Sequence, residues 1–197
     1  IICNCCRTLV LQANGRHGPQ NVLFICMILF LCNGMGKLLY IIFLSLYTLG
    51  ARIAALFSAK ARLWLNGRRN IFNQLQNGLS AEGRKRIWVH CSSLGEFEQG
   101  LPVIEALRKT YAGHCIVLTF FSPSGYEHEK NNSNADHIFY MPLDGAVHAK
   151  RLYETVQPSL VIFIKYEFWY YYLEAAASRN IPLLLVSGVF RKSQPFF

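Results

Sequence analysis

An α/β fold on a parallel sheet, preceded by an apolar helix, is the class this sequence predicts. Three observations lead there. From residue 87 onward, short apolar runs alternate with stretches of helical spacing, the rhythm of βαβ units. The runs are continuously apolar instead of alternating, which describes strands covered on both faces. Upstream, residues 38–57 (LLYIIFLSLYTLGARIAALF) form a twenty-residue apolar stretch, close to the ~20 residues that cross ~30 Å of hydrocarbon.

The elements follow in order. IWVHC (87–91) is the first strand, and Phe97, Leu101, Ile104, Leu107 and Tyr111 then recur at helical spacing. CIVLTFF (115–121) is the second, SPSG (122–125) carries turn chemistry, and a polar, helix-compatible stretch follows. HIFYMPLD (137–144) is the third strand, and Ala146 to Val156 reads as a helix stopped before Pro158. LVIFIK (160–165) is the fourth, YEFWYYYLEAAASRN (166–180) a helix with Asn180 near its C-cap, and IPLLLVSG (181–188) the fifth. The result is a Rossmann-like half. No G-x-G-x-x-G or Walker loop follows the first strand, which argues against dinucleotide and NTP sites of those kinds.

The chain's 197 residues suffice for one domain with a sizeable core, and 52% hydrophobic residues is high for a soluble one. The apolar run at 38–57 is interrupted by Arg52, so a spanning helix and a tilted or half-inserted anchor both fit. Residues 35–60 are expected to form this membrane anchor and 61–197 the globular domain. The chain begins at Ile1; residues 1–20 lack periodicity, and residues 22–32 form an apolar run too short to span a bilayer as a helix. Residues 1–34 are expected to be a leader outside the fold, with Met35 as the natural start, the alternative being two helices in a hairpin. From Arg52 to Arg86 there are eight Lys/Arg against Glu82, a net +7 of the chain's formal +9. Directly after an apolar run, such a stretch suits anionic lipid headgroups. The rivals are nucleic acid, which the apolar neighbour disfavours, and a solvated basic linker. The positive-inside rule puts the globular part in the cytoplasm.

Five of the seven cysteines lie in the first 32 residues without zinc-ligand spacing, while Cys91 and Cys115 sit within apolar runs and read as buried thiols of a reducing compartment. No metal site is expected.

Polar clusters follow every strand. Ser92-Ser93-Leu94-Gly95-Glu96 follows the first, Ser122-Pro123-Ser124-Gly125 the second, Asp144 the third, Lys165-Tyr166-Glu167 the fourth, and Ser187-Gly188 with Arg191-Lys192 the fifth. All occupy carboxyl ends, where open α/β sheets bind ligands. Hydroxyls, carboxylates and cations together suit sugar and phosphate groups.

At these same residues the chain resembles a known family. WVHCSSLGEFEQGLPVIEALR, LTFFSPSGYE, FIKYEFWYYYL and VSGVFRKSQPFF resemble the amino-terminal half of bacterial 3-deoxy-D-manno-octulosonic acid (Kdo) transferases, most closely the Bacteroidetes type. The resemblance runs from about Met35 to Phe197. It implies a GT-B glycosyltransferase of two Rossmann-like domains, of which this chain is the acceptor half. The second half, which binds most of CMP, is expected to be missing here, and the isolated fragment is expected to be inactive. It also implies inverting transfer of Kdo from CMP-Kdo to a lipid A precursor at the cytoplasmic face of the bacterial inner membrane, with no metal and no cofactor beyond that donor.

The resemblance makes Glu96 the general base and Glu167 a second carboxylate; where many members carry Thr-Glu, this chain has Tyr166-Glu167. It further suggests that Ser93, Gly95, Ser124, Gly125, Lys165 and Arg191 line the substrates. Plainer readings stand beside these. Ser93 and Glu96 have capping-box spacing, Glu167 fits the first turn of a helix, Ser124 and Gly125 fit a turn, and Arg191 fits an exposed surface. His90 reads as a packed strand histidine. Two other functions suit the same pattern: a membrane-tethered sugar-phosphate-binding module without catalysis, and a different GT-B glycolipid transferase.

Overall fold

The computed structural model describes residues 34–131, 134–165 and 168–186. Its elements are α1 (Gly34–Ala54), α2 (Ala59–Gly67), α3 (Ile71–Leu79), β1 (Arg86–Cys91), α4 (Leu94–Thr110), β2 (Cys115–Phe120), α5 (Pro123–Glu129), β3 (His137–Tyr140), α6 (Ala146–Val156), β4 (Pro158–Ile164), α7 (Tyr170–Ser178) and β5 (Leu183–Val186). The five strands form one sheet in the order β3-β2-β1-β4-β5, and every pairing is parallel. The expected α/β architecture is therefore the observed one.

The period of two along each strand sends successive side chains to opposite faces. Trp88, Val117, Phe139, Val161 and Phe163 join α3, α6 and α7 in one core layer. Ile87, Val89, Cys91, Ile116, Leu118, Phe120, Ile162 and Ile164 join Phe97 and Ile104 of α4 in the other. Trp88, fully buried, meets the rings of Tyr153, Phe163 and Tyr172 edge-on at 5.4–5.6 Å. Its indole N–H donates to Thr119 Oγ1 at 2.8 Å, so the largest core residue leaves no unmet donor. His90 is buried in its strand, its Nδ1 2.9 Å from Thr119 Oγ1.

Boundaries shift where backbone chemistry intervenes. The third strand ends at Tyr140, not at 144: Met141 N–H still bonds Phe120 O at 2.8 Å, but Pro142 has no N–H to extend the ladder. The fourth strand starts at Pro158 and ends at Ile164 because Lys165 turns to φ 67. α7 begins at Tyr170 after an extended Trp169, whereas residues 166–167 of the expected helix lie outside the described residues, and Asn180 beyond its end is left-handed as a C-cap position favours. Residues 187–188, expected to end the fifth strand, lie outside the described residues, as do residues 1–33.

α1 runs across the carboxyl ends of the strands. Tyr40 OH donates to Asp144 Oδ2 at 2.6 Å in the loop after β3. Two turns later, Tyr47 meets Trp64 of α2 and Phe121 just beyond β2. The helix then gives way to a turn at 55–57, and Ser58 caps α2 by accepting from Ala61 N–H at 3.4 Å.

Candidate functional site at the carboxyl ends of the sheet

β1 leads onward to β2 and β3 on one side, whereas β4 and β5 lie on the other. The strand order thus reverses between β1 and β4. α4 after β1 and α7 after β4 pack on opposite faces of the sheet, the switch point at which α/β folds place a ligand-binding crevice.

Glu96 stands at this crevice, at the third position of α4, with Ser93 as N-cap. The capping-box reading expects the Ser93 hydroxyl to accept a backbone N–H. Instead the Ser93 side chain makes no capping bond, and its hydroxyl donates to Glu96 Oε2 at 2.8 Å. Main chain closes the turn, with Phe97 N–H on Ser93 O at 3.1 Å. The carboxylate is half-buried, aimed by a single hydroxyl, and positioned at a helix amino end that favours negative charge. Gly95 is exposed, and a Cβ there would meet nothing within 4 Å. The fold itself therefore does not demand glycine at this position.

The loop after β2 is tied to the loop after β1 by Ser122 N–H on Ser92 O at 2.7 Å. Ser122 caps α5, accepting from Ser124 N–H at 3.3 Å, and its hydroxyl pairs with that of Ser124 at 2.8 Å. Ser124 is exposed. Gly125 is buried, and a Cβ there would lie 2.3 Å from the Phe120 ring, so packing alone requires glycine. Lys165 follows β4 half-buried at φ 67, a left-handed conformation that costs a non-glycine residue about 1 kcal/mol. Its N–H on Val186 O at 2.7 Å holds it there. Ser93, Gly95, Glu96, Ser124, Gly125 and Lys165 are thus gathered at the exits of β1, β2 and β4. Glu167 and Arg191 lie outside the described residues.

Two expectations need correcting. Asp144 was expected to face the crevice with the other polar residues. It is only 6% exposed and lies under α1, accepting from Tyr40 OH and from Tyr171 N–H at 3.1 Å. Burial pushes its carboxyl up to about 6, and the two donors limit the rise. The basic stretch was expected to meet anionic headgroups or, as a solvated linker, water, yet two of its arginines turn inward. Arg68 donates to Trp64 O, Phe121 O and Met141 O at 2.6–3.0 Å, lashing α2 to the exits of β2 and β3. It lies over Trp64 at 4.1 Å and Phe121 at 4.7 Å. Desolvation draws it down to about 10, so it stays charged at neutral pH. Arg86 donates to the carbonyls of Thr155, Val156, Leu79 and Glu82 at 2.6–3.3 Å, satisfying the last turns of α3 and α6.

Among the described residues, one group has metal-ligand composition: Glu82, Cys115 and His137, with ligand atoms within 4.8 Å of one another. It sits at the amino ends of the strands, away from the crevice. Arg84 already holds Glu82 through both carboxylate oxygens at 2.6–2.9 Å, and burial, then the Glu82 charge, pushes the Cys115 thiol up to about 12. A protonated thiol and an occupied carboxylate make this an ion-pair cluster.

Comparison with known proteins agrees with this geometry. Residues 57–195 match the family model described as 3-deoxy-D-manno-octulosonic-acid transferase (kdotransferase). The chain is 38% identical over 84 residues to the 3-deoxy-D-manno-octulosonic acid transferase of Aquifex aeolicus, covering 42% of this chain and 23% of that protein. It is 32% identical over 104 residues to the Haemophilus influenzae transferase (52% and 24%) and 27% identical over 103 residues to that of Chlamydophila psittaci (51% and 24%). The matched part spans about a quarter of the length of these relatives. With a family match over most of its length and the sheet that family's amino-terminal region requires, the chain belongs to the 3-deoxy-D-manno-octulosonic-acid transferase (kdotransferase) family.

Proposed function

We propose that this chain is the acceptor half of an inverting glycosyltransferase that moves Kdo from CMP-Kdo to a lipid A precursor, in lipopolysaccharide core synthesis at the cytoplasmic face of the bacterial inner membrane. The observation that carries the reading is Glu96: a carboxylate at the switch point, aimed by the Ser93 hydroxyl and not engaged in capping the helix backbone.

The chemistry has a definite balance. An acceptor hydroxyl oxygen attacks the anomeric carbon of Kdo and forms the new glycosidic bond. The bond from that carbon to the CMP phosphate oxygen breaks, its electron pair leaving with CMP. The hydroxyl proton passes to Glu96. In this reading Ser93 and Ser124 orient sugar hydroxyls, and Gly95 leaves room for the ligand beside the main chain. Gly125 sets the path of the loop that carries Ser124. Lys165 and Arg191 offset phosphate charge, and Glu167 orients the acceptor. The nucleotide is bound mainly by residues outside this chain.

The test is Glu96→Gln in the complete gene product carrying this chain, assayed with CMP-Kdo and a lipid A precursor. The amide keeps size and hydrogen bonding but takes no proton. Transfer should fall about 10²–10⁴-fold, while stability changes by less than ~1 kcal/mol, the scale of a lost helix cap. A rate that drops only in proportion to lost folding would return Glu96 to a structural role.

A further inference from the structure

α1 is long and apolar enough to cross a membrane between Gly36 and Ala54, yet it does not stand clear of the domain. Beyond Gly36 and Lys37, its less exposed positions are Tyr40, Leu44, Thr48 and Ala51, continued by Ala55 just past its end, spaced by four, four, three and four residues. That is one stripe along the whole helix, and it faces the protein. The amino-terminal half is held by polar ties: Tyr40 to Asp144 at 2.6 Å, and Lys37 to Glu174 at 3.1 Å with the Lys37 ammonium 5.0 Å from the Tyr170 ring centre. The carboxyl-terminal half is held by aromatic contacts of Tyr47 with Trp64 and Phe121. The loop after β3, the start of α7 and the exit of β2 therefore lie beside the helix.

A crossing helix would carry these partners into hydrocarbon or release them. Charged groups at bilayer depth are costly; Lys37 is carried by this helix, and Glu174 and Arg68 stand beside it. The opposite face is different. Leu39, Phe43, Leu46 and Ile53 are 50–62% exposed, and Leu56 and Phe57 extend the surface at 73% and 86%. Exposed Arg52, Lys60 and Arg62 border it. An apolar stripe rimmed by cations fits the headgroup boundary of an anionic bilayer.

We propose that α1 lies in the plane of the membrane, its outer face sunk among headgroups and upper acyl chains while its inner stripe stays on the domain. The partner is a bilayer carrying anionic lipid. This orientation rests on the membrane location proposed above and adds a consequence: the carboxyl ends of the strands, which α1 crosses, are held at the bilayer surface. A lipid-borne hydroxyl then reaches the crevice without leaving its leaflet.

Leu39, Leu46 and Ile53 share the outer face at seven-residue intervals and cover ~21 Å of helix. Nitroxide labels are placed by Leu39→Cys, Leu46→Cys and Ile53→Cys, one at a time, with Cys3, Cys5, Cys6, Cys26 and Cys32 replaced by serine. Depth is read by power saturation on phosphatidylcholine vesicles with and without phosphatidylglycerol, and the labelled protein's melting curve checks its fold. The expected result is three depths agreeing within ~5 Å, all in the outer ~10 Å of one leaflet, with tighter binding when phosphatidylglycerol is present. Depths that sweep through the bilayer centre, differing by up to ~21 Å between Leu39 and Ile53, would overturn the in-plane orientation and leave the membrane location standing. Absence of binding to either vesicle would overturn both.

Discussion

At the amino ends of the strands, Arg84 joins Glu82 at 2.6 Å to Asp136 at 3.1 Å, and Arg108 reaches Asp136 from the other side at 3.5 Å. Asp136 also accepts Ile116 N–H at 2.8 Å, and Arg86 serves four carbonyls. At the carboxyl ends, Glu96 holds one hydroxyl, Lys165 sits in a left-handed conformation, and Gly95 opens onto space. The same residue types thus do different things at the two ends. Below, charge meets charge and carbonyl, and the interactions hold the fold. Above, Arg68 and Asp144 also serve the fold, but Glu96, Lys165 and Gly95 are positioned without being fully engaged with one another, which is the condition for engaging a ligand.

The sharpest way to break this contrast is at the lower end. Arg86→Ala strands four carbonyls, two of them in the last turn of α6, and should cost about 3 kcal/mol. Denaturant unfolding checks this. The transfer rate of the complete gene product, normalised to folded protein, should not move; a large change would mean the two ends are not separate.

A smaller effect is expected at Asp144, which lies at the upper end but serves the fold. Its folded pKa, about 6, is above the ordinary carboxyl value. The folded state thus holds the proton more tightly than the unfolded chain. The stability this gives is fully present below pH ~4 and is lost as pH rises through about 6. Asp144→Asn keeps acceptors for Tyr40 and Tyr171 but removes the titration. Between pH 4 and 7 the wild-type protein should lose about 2 kcal/mol relative to the variant. Parallel melting curves at several pH values test it, and identical pH dependence in both proteins would refute the burial account.

The smallest effect on stability is expected at Gly95. An added Cβ meets nothing there, and alanine favours a helix by up to ~1 kcal/mol, so Gly95→Ala should leave the melting point unchanged or raised. Transfer should nevertheless fall, by as much as ~100-fold if the ligand is displaced by ~1 Å. Unaltered transfer would mean that the ligand does not approach the main chain at this position.

Much of this was legible in the sequence. Apolar runs bounded by turn residues located all five strands, because buried parallel strands admit few polar residues. The polar residues after those runs could be placed at the carboxyl ends of the strands because strand direction alone fixes which end they occupy. The misreadings share one physical origin, contacts between residues far apart in the chain. Arg68 looked like part of a solvated basic run because its acceptors are main-chain carbonyls up to 73 residues away, and no side chain advertises a carbonyl. Tyr40 looked like filler in an apolar run because its partner, Asp144, is 104 residues distant. MPLD read as strand because Met141 and Leu143 are apolar, although Pro142 ends the ladder.

The 104 residues between Tyr40 and Asp144 also set an order of events during synthesis. At ~5–20 residues per second the helix precedes its docking partner by roughly 5–20 s. Throughout that interval the nascent α1 has no folded surface for its inner stripe, and a nearby bilayer is the apolar phase open to it. In the in-plane orientation proposed above, a ribosome making this chain delivers the helix to the lipid first. The domain then assembles beneath it, with β4, the last neighbour of the central strand, arriving after α1 has already settled.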